Sequence, residues 1–299
     1  MRRLSCLCLL LIFQVSATTA PPADEFAAST PCDSQVRAFL GIAENTPCER
    51  ITWQLVLAPG AANGSFTLRV LYGMTVPNTQ GLAGGGTKAD FRGDWIARDG
   101  ANIRLTLHGS QRTLQLRRLD DNLLHVEDVG GALLVGNGGW SYTLNRRNPV
   151  PLAAAPRHFE PLPAARDSDV GVFDGRSPCL AVAAQVGAKV ESDCAKLKWR
   201  LMLHRDPATG KAGRYTLEGT LYRDRPRTGR WSIERRSSEP RSEVIRLDPV
   251  GGSAFLSFMK ADDNILIFVD EIDRPFVGNA DFSFTLNRVP KEISEAIRR

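Results

Sequence analysis

Four cysteines beyond the N-terminal segment stand in two pairs of nearly equal spacing. Cys32 and Cys48 are 16 residues apart, and Cys179 and Cys194 are 15 apart. Thiolate metal sites usually place two cysteines within a few residues, as in C-x-x-C, and neither pair does so. Four cysteines permit crossed pairings as well, but the equal spacing favours Cys32–Cys48 and Cys179–Cys194. We therefore predict two disulfide bonds, with no metal ion or other cofactor.

The histidines and carboxylates suggest no catalytic arrangement. The four histidines are scattered: His108, His125, His158 and His204. His125 has Ile267 at the matching place in an internal repeat, which favours a packing role. Asp120–Asp121 recurs as Asp262–Asp263, each pair followed by Asn. Adjacent strand residues point to opposite faces, so Asp-Asp-Asn is better interpreted as a turn. No G-x-S-x-G motif is present, and we predict a protein that is not an enzyme.

The N-terminus has the pattern of an export signal. Arg2 and Arg3 precede an apolar run, Leu7 to Phe13, and small residues follow up to Ala17 and Ala20. A basic head, a short apolar core and small residues are typical of a secretory signal peptide, and the run is too short to span a membrane. We predict cleavage near Ala17 or Ala20, a periplasmic or secreted protein, and no membrane span.

The sequence contains an internal repeat that covers both halves of the chain. VGNGGWSYTLNR, at 135–146, is answered by VGNADFSFTLNR at 277–288, and earlier segments match in the same order. TPCERITWQLVL at 46–57 answers SDCAKLKWRLML at 192–203, and LDDNLLHVED at 119–128 answers ADDNILIFVD at 261–270. Internal repetition of this kind predicts two domains of one fold.

Each repeated segment alternates apolar and polar residues. Leu197, Trp199, Leu201 and Leu203 alternate with mostly polar neighbours, the pattern of a half-buried antiparallel strand. About eight such strands without intervening helices suggest a closed barrel. We predict an all-β chain of two tandem, small, lipocalin-like antiparallel barrels, each preceded by a short helix that a disulfide clips to the first strand.

The domain boundaries follow from the repeat and the composition. We predict a signal peptide at 1–17 and a disordered N-terminus at 18–30. The first barrel is predicted at 31–146, a Pro/Ala-rich linker at 147–177 and the second barrel at 178–290. A tail at 291–299 completes the chain. In the closing strands, Trp140, Tyr142 and Leu144 form one face, and the preceding Val-Gly-Asn is a turn.

The two copies differ most in one loop. The first copy is much longer between Tyr72 and Gly93 than the second is between Tyr222 and Gly229. Long loops of this kind are often functional, although a plain flexible hairpin is the alternative. We predict that the loop borders the mouth of the first barrel and that a small or lipidic ligand binds there. The candidate ligand-binding residues are Tyr72, Met74, Asn78, Trp95 and Trp140.

The second copy carries an arginine-rich segment, RDRPRTGRWSIERRSSEPR, at 223–241. The formal net charge of +5 and the pI near 9.0 also favour anionic partners. The candidate polyanion-binding residues are Arg223, Arg225, Arg227, Arg230, Arg235 and Arg236. The alternative is a solvated strand face with Asp224, Glu234 and Glu239 as ion-pair partners. After export, nucleic acid is not an expected partner.

The first copy resembles the N-terminal domain of the NlpE family of copper-resistance and envelope-stress lipoproteins. The resemblance is carried by PCERITWQLVLAPGAANGSFTLRVLYG, then GDW, and finally SYTLNR. The resemblance implies two copies of a lipocalin-like barrel of the bacterial envelope. The family's opening C-x-x-C keeps its second cysteine as Cys48 and Cys194, but Asn45 and Glu191 occupy the first position. The motif tied to metal and redox sensing is therefore absent.

Together these observations predict an exported, non-catalytic envelope binding protein, acting in envelope homeostasis or stress. The first hypothesis is a small or lipidic ligand in or at the mouth of a barrel. The alternative is a protein or polyanion module, with cell-wall polymers or lipopolysaccharide bound on outer barrel faces and the arginine-rich hairpin.

Overall fold

The structure, a computed structural model, describes residues 23–58, 60, 63–98, 101–152, 159–161, 171–236, 243–249 and 254–290. The predicted signal peptide and the C-terminal tail at 291–299 lie outside these residues. The regular structure of these residues is mostly β, as predicted, and it forms two barrels.

The first barrel is a closed ring of eight antiparallel strands in chain order. They are β1 (Asp24–Pro31), β2 (Arg50–Leu57), β3 (Asn63–Gly73), β4 (Thr87–Arg98), β5 (Asn102–Leu107), β6 (Thr113–Arg118), β7 (Leu123–Glu127) and β8 (Thr143–Arg146). Pairing of β1 with β8 closes the ring, which leaves no sheet edge open to another strand.

The second barrel repeats this order. A short strand, β9 (Phe159–Pro161), comes first, and the ring itself consists of β10 (Gly171–Ser177), β11 (Leu197–Arg205), β12 (Ala212–Gly219), β13 (Arg227–Arg236), β14 (Glu243–Leu247), β15 (Leu256–Lys260), β16 (Ile265–Val269) and β17 (Thr285–Arg288). Pairing of β10 with β17 and of β12 with β13 closes it. The strand β9 adds to the outside, alongside the end of β13.

Each predicted disulfide and helix is confirmed. Cys32 is bonded to Cys48 and Cys179 to Cys194. Between the paired cysteines lie α1 (Ser34–Leu40) and α2 (Leu180–Gln185). Asp33 caps α1 by accepting the Val36 N–H at 2.9 Å, which satisfies one of the free donors at a helix start. The helices do not precede the barrels, however, because each follows the first strand of its ring.

Two predicted boundaries are corrected by those first strands. The strand β1 occupies most of the segment predicted to be disordered at 18–30, and β9 and β10 fall within the predicted linker at 147–177. The sequence around β1 reads FAAST, which is small and lacks polar alternation. Its extended form comes from pairing along its whole length with β2, which is a contact distant in sequence.

Side chains fill both barrel interiors. Trp53 and Trp199, at equivalent places, are buried and donate their indole N–H to the hydroxyls of Thr30 and Ser177, each at 2.9 Å. Aliphatic and aromatic side chains from every strand of the first ring surround Trp53. An eight-stranded barrel has an interior just wide enough for side chains or one small ligand, and here side chains take the space.

The barrels meet through the outward faces of β8 and β17. The hydroxyls of Ser141 and Ser283 are 2.6 Å apart, and those of Thr143 and Thr285 are 2.9 Å apart. These pairs join equivalent positions of the two repeats. A surface that contacts its own counterpart in this way is isologous, as in a two-fold dimer. We call this contact the seam.

The seam extends beyond the two hydroxyl pairs. The Gly136 N–H donates to Asn287 Oδ1 at 2.8 Å, and in the reciprocal contact the Gly278 N–H donates to Asn145 Oδ1 at 2.8 Å. Beside them a buried apolar cluster draws on both barrels: Leu123, Leu133, Ile265 and Ile267. The repeated closing segment, at 135–146 and 277–288, therefore has two roles. One face of each copy packs inside its own barrel, and the other face forms the contact between the barrels.

Candidate functional site

The five predicted ligand-binding residues do not lie together. Tyr72 pairs with Thr87 at one end of β3, and Trp95 pairs with Gly64 at the other end. The positions are eight residues apart along the strand, roughly 26 Å at the usual rise. Trp95 closes its end of the barrel, where its indole N–H donates to the Ala58 carbonyl at 3.1 Å. Trp140 lies at the seam, outside the barrel interior, so its predicted place on one face with the buried Tyr142 and Leu144 is wrong.

Met74 and Asn78 lie on the long loop, near Tyr72. The loop is held in place by Glu49, which accepts from the Thr75 N–H at 3.0 Å and from its hydroxyl at 2.5 Å. These bonds lower the pKa of the Glu49 carboxyl. Asn78 has a φ of 61°, which an Asn tolerates in a turn. The loop is thus an ordered border at one end of the first barrel, and it leaves Met74 and Val76 exposed.

The six predicted polyanion-binding arginines follow the hairpin of β12 and β13 but play different roles. The Arg227 Nη2 donates to Asp248 at 2.9 Å, its Nε donates to the Tyr215 hydroxyl at 3.0 Å, and its guanidinium covers the Phe255 ring at 3.7 Å. Burial lowers the pKa of Arg227, but these hydrogen bonds outweigh burial and raise it. Burial, together with Asp248, raises the pKa of Tyr215 to about 12. Arg227 is therefore part of the packing that closes this barrel.

Arg235 is also engaged, since it pairs with Glu243 at 3.1 Å. The side chain of Arg236 lies outside the described residues. Arg223, Arg225 and Arg230 are exposed. Of the acids expected to neutralise the segment, Glu234 pairs with Arg246 at 2.8 Å, and Glu239 lies outside the described residues.

Arg230 belongs to a basic groove that sequence reasoning did not identify. It lies directly across the β12–β13 ladder from Arg214, and Thr216 lies across from Thr228 on the same outer face. Both arginines are exposed. The groove that they line encloses about 650 Å³ and is open to solvent. Like charges directly opposite each other on a sheet destabilise it, so an anion bridging them would relieve that repulsion.

One carboxylate, Asp206, also borders the groove. It is committed to a turn, because its Oδ1 accepts the N–H groups of Ala208 and Thr209 at 3.0 and 2.8 Å and the Thr209 hydroxyl at 2.9 Å. The bonds to Thr209 lower the pKa of Asp206 most, and Arg230 contributes to the shift. A third arginine, Arg205, also lines the groove and donates to the Gly210 carbonyl at 3.1 Å. The groove therefore has the opposed pair Arg214 and Arg230, a third guanidinium group, two threonine hydroxyls and one carboxylate that already has partners.

His125 takes part in the seam, with a single allowed tautomer. Its Nε2 lies 2.9 Å from the Leu134 carbonyl, which can only accept, so Nε2 carries the proton. Its Nδ1, 2.9 Å from Thr143 Oγ1, then accepts the Thr143 hydroxyl, and Thr143 in turn accepts from Thr285. Burial lowers the pKa of His125 to about 4. His125 is therefore buried, as a packing residue would be, and it also makes two hydrogen bonds, to Leu134 and Thr143.

The paired aspartates weighed as catalytic residues in the sequence have a structural role. Asp120 and Asp262 each accept the N–H of the following Asn at 2.7 Å, which confirms the turns. Within the described ranges, no cluster of His, Cys, Asp or Glu could hold a metal ion. No helix there is both long and apolar enough to cross a membrane.

The residues missed by sequence reasoning are those whose partners are distant in sequence. Arg214 is recognised as part of the basic groove only when the strand register places it opposite Arg230. Ser141, Thr143 and Asn145 resemble a solvated strand face. Their one sequence signal is that Ser, Thr and Asn are identical in both copies, while the aromatic residues on either side of the Ser are exchanged. Comparisons with protein-family models, curated proteins and solved structures found no match for this chain.

Proposed function

We propose that this chain is an exported, non-catalytic binding protein that holds an anionic envelope polymer against the outer face of its second barrel. Two disulfides support an oxidising compartment outside the cytoplasm. Interiors filled by side chains such as Trp53 and Trp199 favour outer surfaces for binding. The resemblance to the NlpE domain supports an envelope setting.

The observation that carries the proposal is the Arg214–Arg230 pair. The two guanidinium groups face the same open groove, with the Thr216 and Thr228 hydroxyls beside them. Guanidinium groups bind phosphate and carboxylate oxygens through paired N–H donors. An open groove on a sheet surface suits successive charges of a polymer better than it suits an enclosed small molecule. Phosphorylated lipopolysaccharide and anionic cell-wall polymers have this chemistry.

Binding of polyphosphate, measured by calorimetry over a series of salt concentrations, tests the proposal. The affinity should fall steeply with salt, because bound cations are released from the polymer. The double variant R214A/R230A should weaken binding at least about tenfold and reduce the salt slope by about 2. R92A/R98A removes the same charge from exposed positions of β4 in the first barrel and serves as the matched control.

The control variant should bind nearly as wild type does. Equal losses in the two double variants would mean that only net charge matters, and the groove would be rejected. Binding that does not change with salt would reject the polyanion itself. Repeating the titration with purified lipopolysaccharide then tests whether the envelope polymer behaves as polyphosphate does.

A second candidate function, an apolar ligand at the mouth of the first barrel, is favoured by one observation. Met74 and Val76 are each 38% exposed on the ordered loop beside Tyr72. Native mass spectrometry of protein purified from the periplasm would show such a ligand as a bound mass. The variant M74S/V76S should lose that mass, and its persistence in the variant would exclude the mouth of this barrel as the site.

A further inference from the structure

Positive side chains from both barrels converge at one end of the seam. The first barrel contributes Arg50, and the second contributes Arg176, Lys196 and Lys198. Asp281 is the carboxylate that acts on Arg50 from this region. Burial most of all, then the charges of Arg176, Lys198 and Arg50, lower the pKa of Lys196. Four cations therefore lie close enough to influence one another, and Asp281 is a carboxylate that acts on Arg50.

Arg50 is the most buried of these cations. Its residue exposure is only 3%, and its Nη2 donates to the Gln80 carbonyl at 2.6 Å. Its Nε is buried and finds no acceptor among the described residues, and no described carboxylate lies within 4.0 Å of it. A buried charge without a counter-charge costs several kcal/mol, roughly, in desolvation. Binding of an anion near Arg50 would therefore reduce this cost.

Arg176 and Lys198 add a second unbalanced contact. They lie directly opposite each other in the β10–β11 ladder, so their like charges repel. The contrast lies two residues away on the same face. There Asp174 stands opposite Arg200 and forms an ion pair at 2.6 Å. The strand pair therefore balances its charges at Asp174 and Arg200 and leaves them unbalanced at Arg176 and Lys198.

Trp140 connects the two sets of cations. The Arg50 guanidinium lies 5.8 Å and the Arg176 guanidinium 5.5 Å from the centre of its ring. Each such cation–π contact contributes about 0.5–2 kcal/mol, which offsets only part of the cost of burying the charges. The Trp140 Nε1–H is itself buried without an acceptor among the described residues. Two cations, Arg50 and Arg176, therefore contact the Trp140 ring, and both Arg50 Nε and the indole Nε1 are donors without an acceptor among the described residues.

We propose that this end of the seam binds a single oxyanionic group of phosphate size, held by Arg176, Lys196 and Lys198 and neutralising Arg50 behind them. The gap between the barrels at Trp140 is too narrow for a water molecule. The anion therefore enters from the rim, where Lys196 and Arg176 are partly exposed, and these long side chains turn aside to admit it. A polymer chain cannot thread the gap, although its terminal group can reach the rim.

This site is independent of the basic groove. The seam cations of the second barrel lie at the end of the β10–β11 ladder near Ser177 and Leu197, whereas the groove lies at the other end of that barrel, near Arg205. The two sites draw on different residues and take different ligands, a single oxyanion at the seam and a polymer in the groove. Failure of one in its test leaves the other standing.

The test is a titration of the full chain with inorganic phosphate, at constant ionic strength set by sodium chloride. The chain has five tryptophans, so its indole N–H signals in a nitrogen–proton correlation spectrum are few, and W140F assigns that of Trp140. We expect the Trp140 signal to shift saturably with phosphate. The variant K196Q/K198Q, which leaves the buried Arg50 in place, should raise the apparent Kd at least about tenfold.

R92A/R98A is the matched control, since it removes two positive charges from exposed positions outside both proposed sites and should leave the phosphate response of Trp140 unchanged. A Trp140 signal that does not respond to phosphate, or that responds equally to added chloride, would overturn the proposal. An unaltered Kd in K196Q/K198Q would do the same. The position of the other indole signals shows in each case that the variant is folded.

Discussion

Asn145 and Asn287 exchange equivalent hydrogen bonds across the seam. Each is buried, and each accepts through Oδ1 the backbone N–H of a glycine in the other barrel, Gly278 and Gly136, at 2.8 Å. The two halves of the chain therefore meet as the subunits of a two-fold dimer do. Because both barrels belong to one chain, the two equivalent faces of the seam are held together covalently.

The reciprocal bonds predict equal losses of stability. N145A and N287A should each lower the free energy of unfolding by about 1–3 kcal/mol, because each leaves a partly buried glycine N–H without its acceptor. Urea unfolding followed by tryptophan fluorescence measures the change. N63A, at an exposed strand position, is the control and should change stability by less than about 0.5 kcal/mol. A loss confined to one of the two seam variants would contradict the symmetry.

The sequence was sufficient for the barrels but not for their contact. Alternation at Leu197, Trp199 and Leu201 specifies which strand face is buried, and the repeat supplies the second domain. The strand β1 was missed because FAAST has no alternation of its own and depends on β2. The seam was missed because Thr143 faces outward, where a polar residue normally meets water. Only the fold shows that Thr285 stands opposite.

His125 predicts a loss of stability in acid. Its pKa is about 4 in the folded chain and ordinarily about 6.5. The unfolded chain therefore binds the proton first as the pH falls. The contribution of His125 is fully present above pH 6.5 and declines toward pH 4, by about 3 kcal/mol in all. Thr143 cannot donate to a protonated Nδ1, which breaks the relay to Thr285.

Urea unfolding at pH 7 and at pH 4.5 measures this decline. Carboxylates titrate over the same range, so the comparison is with H125I, which installs the residue found at the equivalent position, Ile267. The decline should be smaller in H125I than in wild type by about 2–3 kcal/mol. Parallel declines in the two proteins would show that His125 does not titrate in this window.

The two disulfides predict matched contributions to stability. Each closes a loop of almost the same length, with sequence separations of 16 and 15 residues. In the chain-entropy model a loop of this size stabilises by about 3 kcal/mol. C32S/C48S and C179S/C194S should therefore each lower the free energy of unfolding by that amount, measured in urea without reductant. Adding reductant to wild type should reproduce the sum of the two losses.

The seam also requires glycine at two equivalent turns. A Cβ on Gly136 would lie 2.1 Å from the Trp140 carbonyl oxygen and 2.8 Å from Asn287 Oδ1, and a Cβ on Gly278 would meet Phe282 and Asn145 in the same way. A backbone atom cannot move aside as a side chain does, so G136A and G278A should each destabilise the chain by about 1–3 kcal/mol. G81A places a Cβ no nearer than 3.4 Å to any neighbour and is the control. Because the clash lies at the contact between barrels, both seam variants should also speed trypsin cleavage of the 147–170 segment relative to G81A. Cleavage at the control rate in both would mean that the barrels stay joined without this turn.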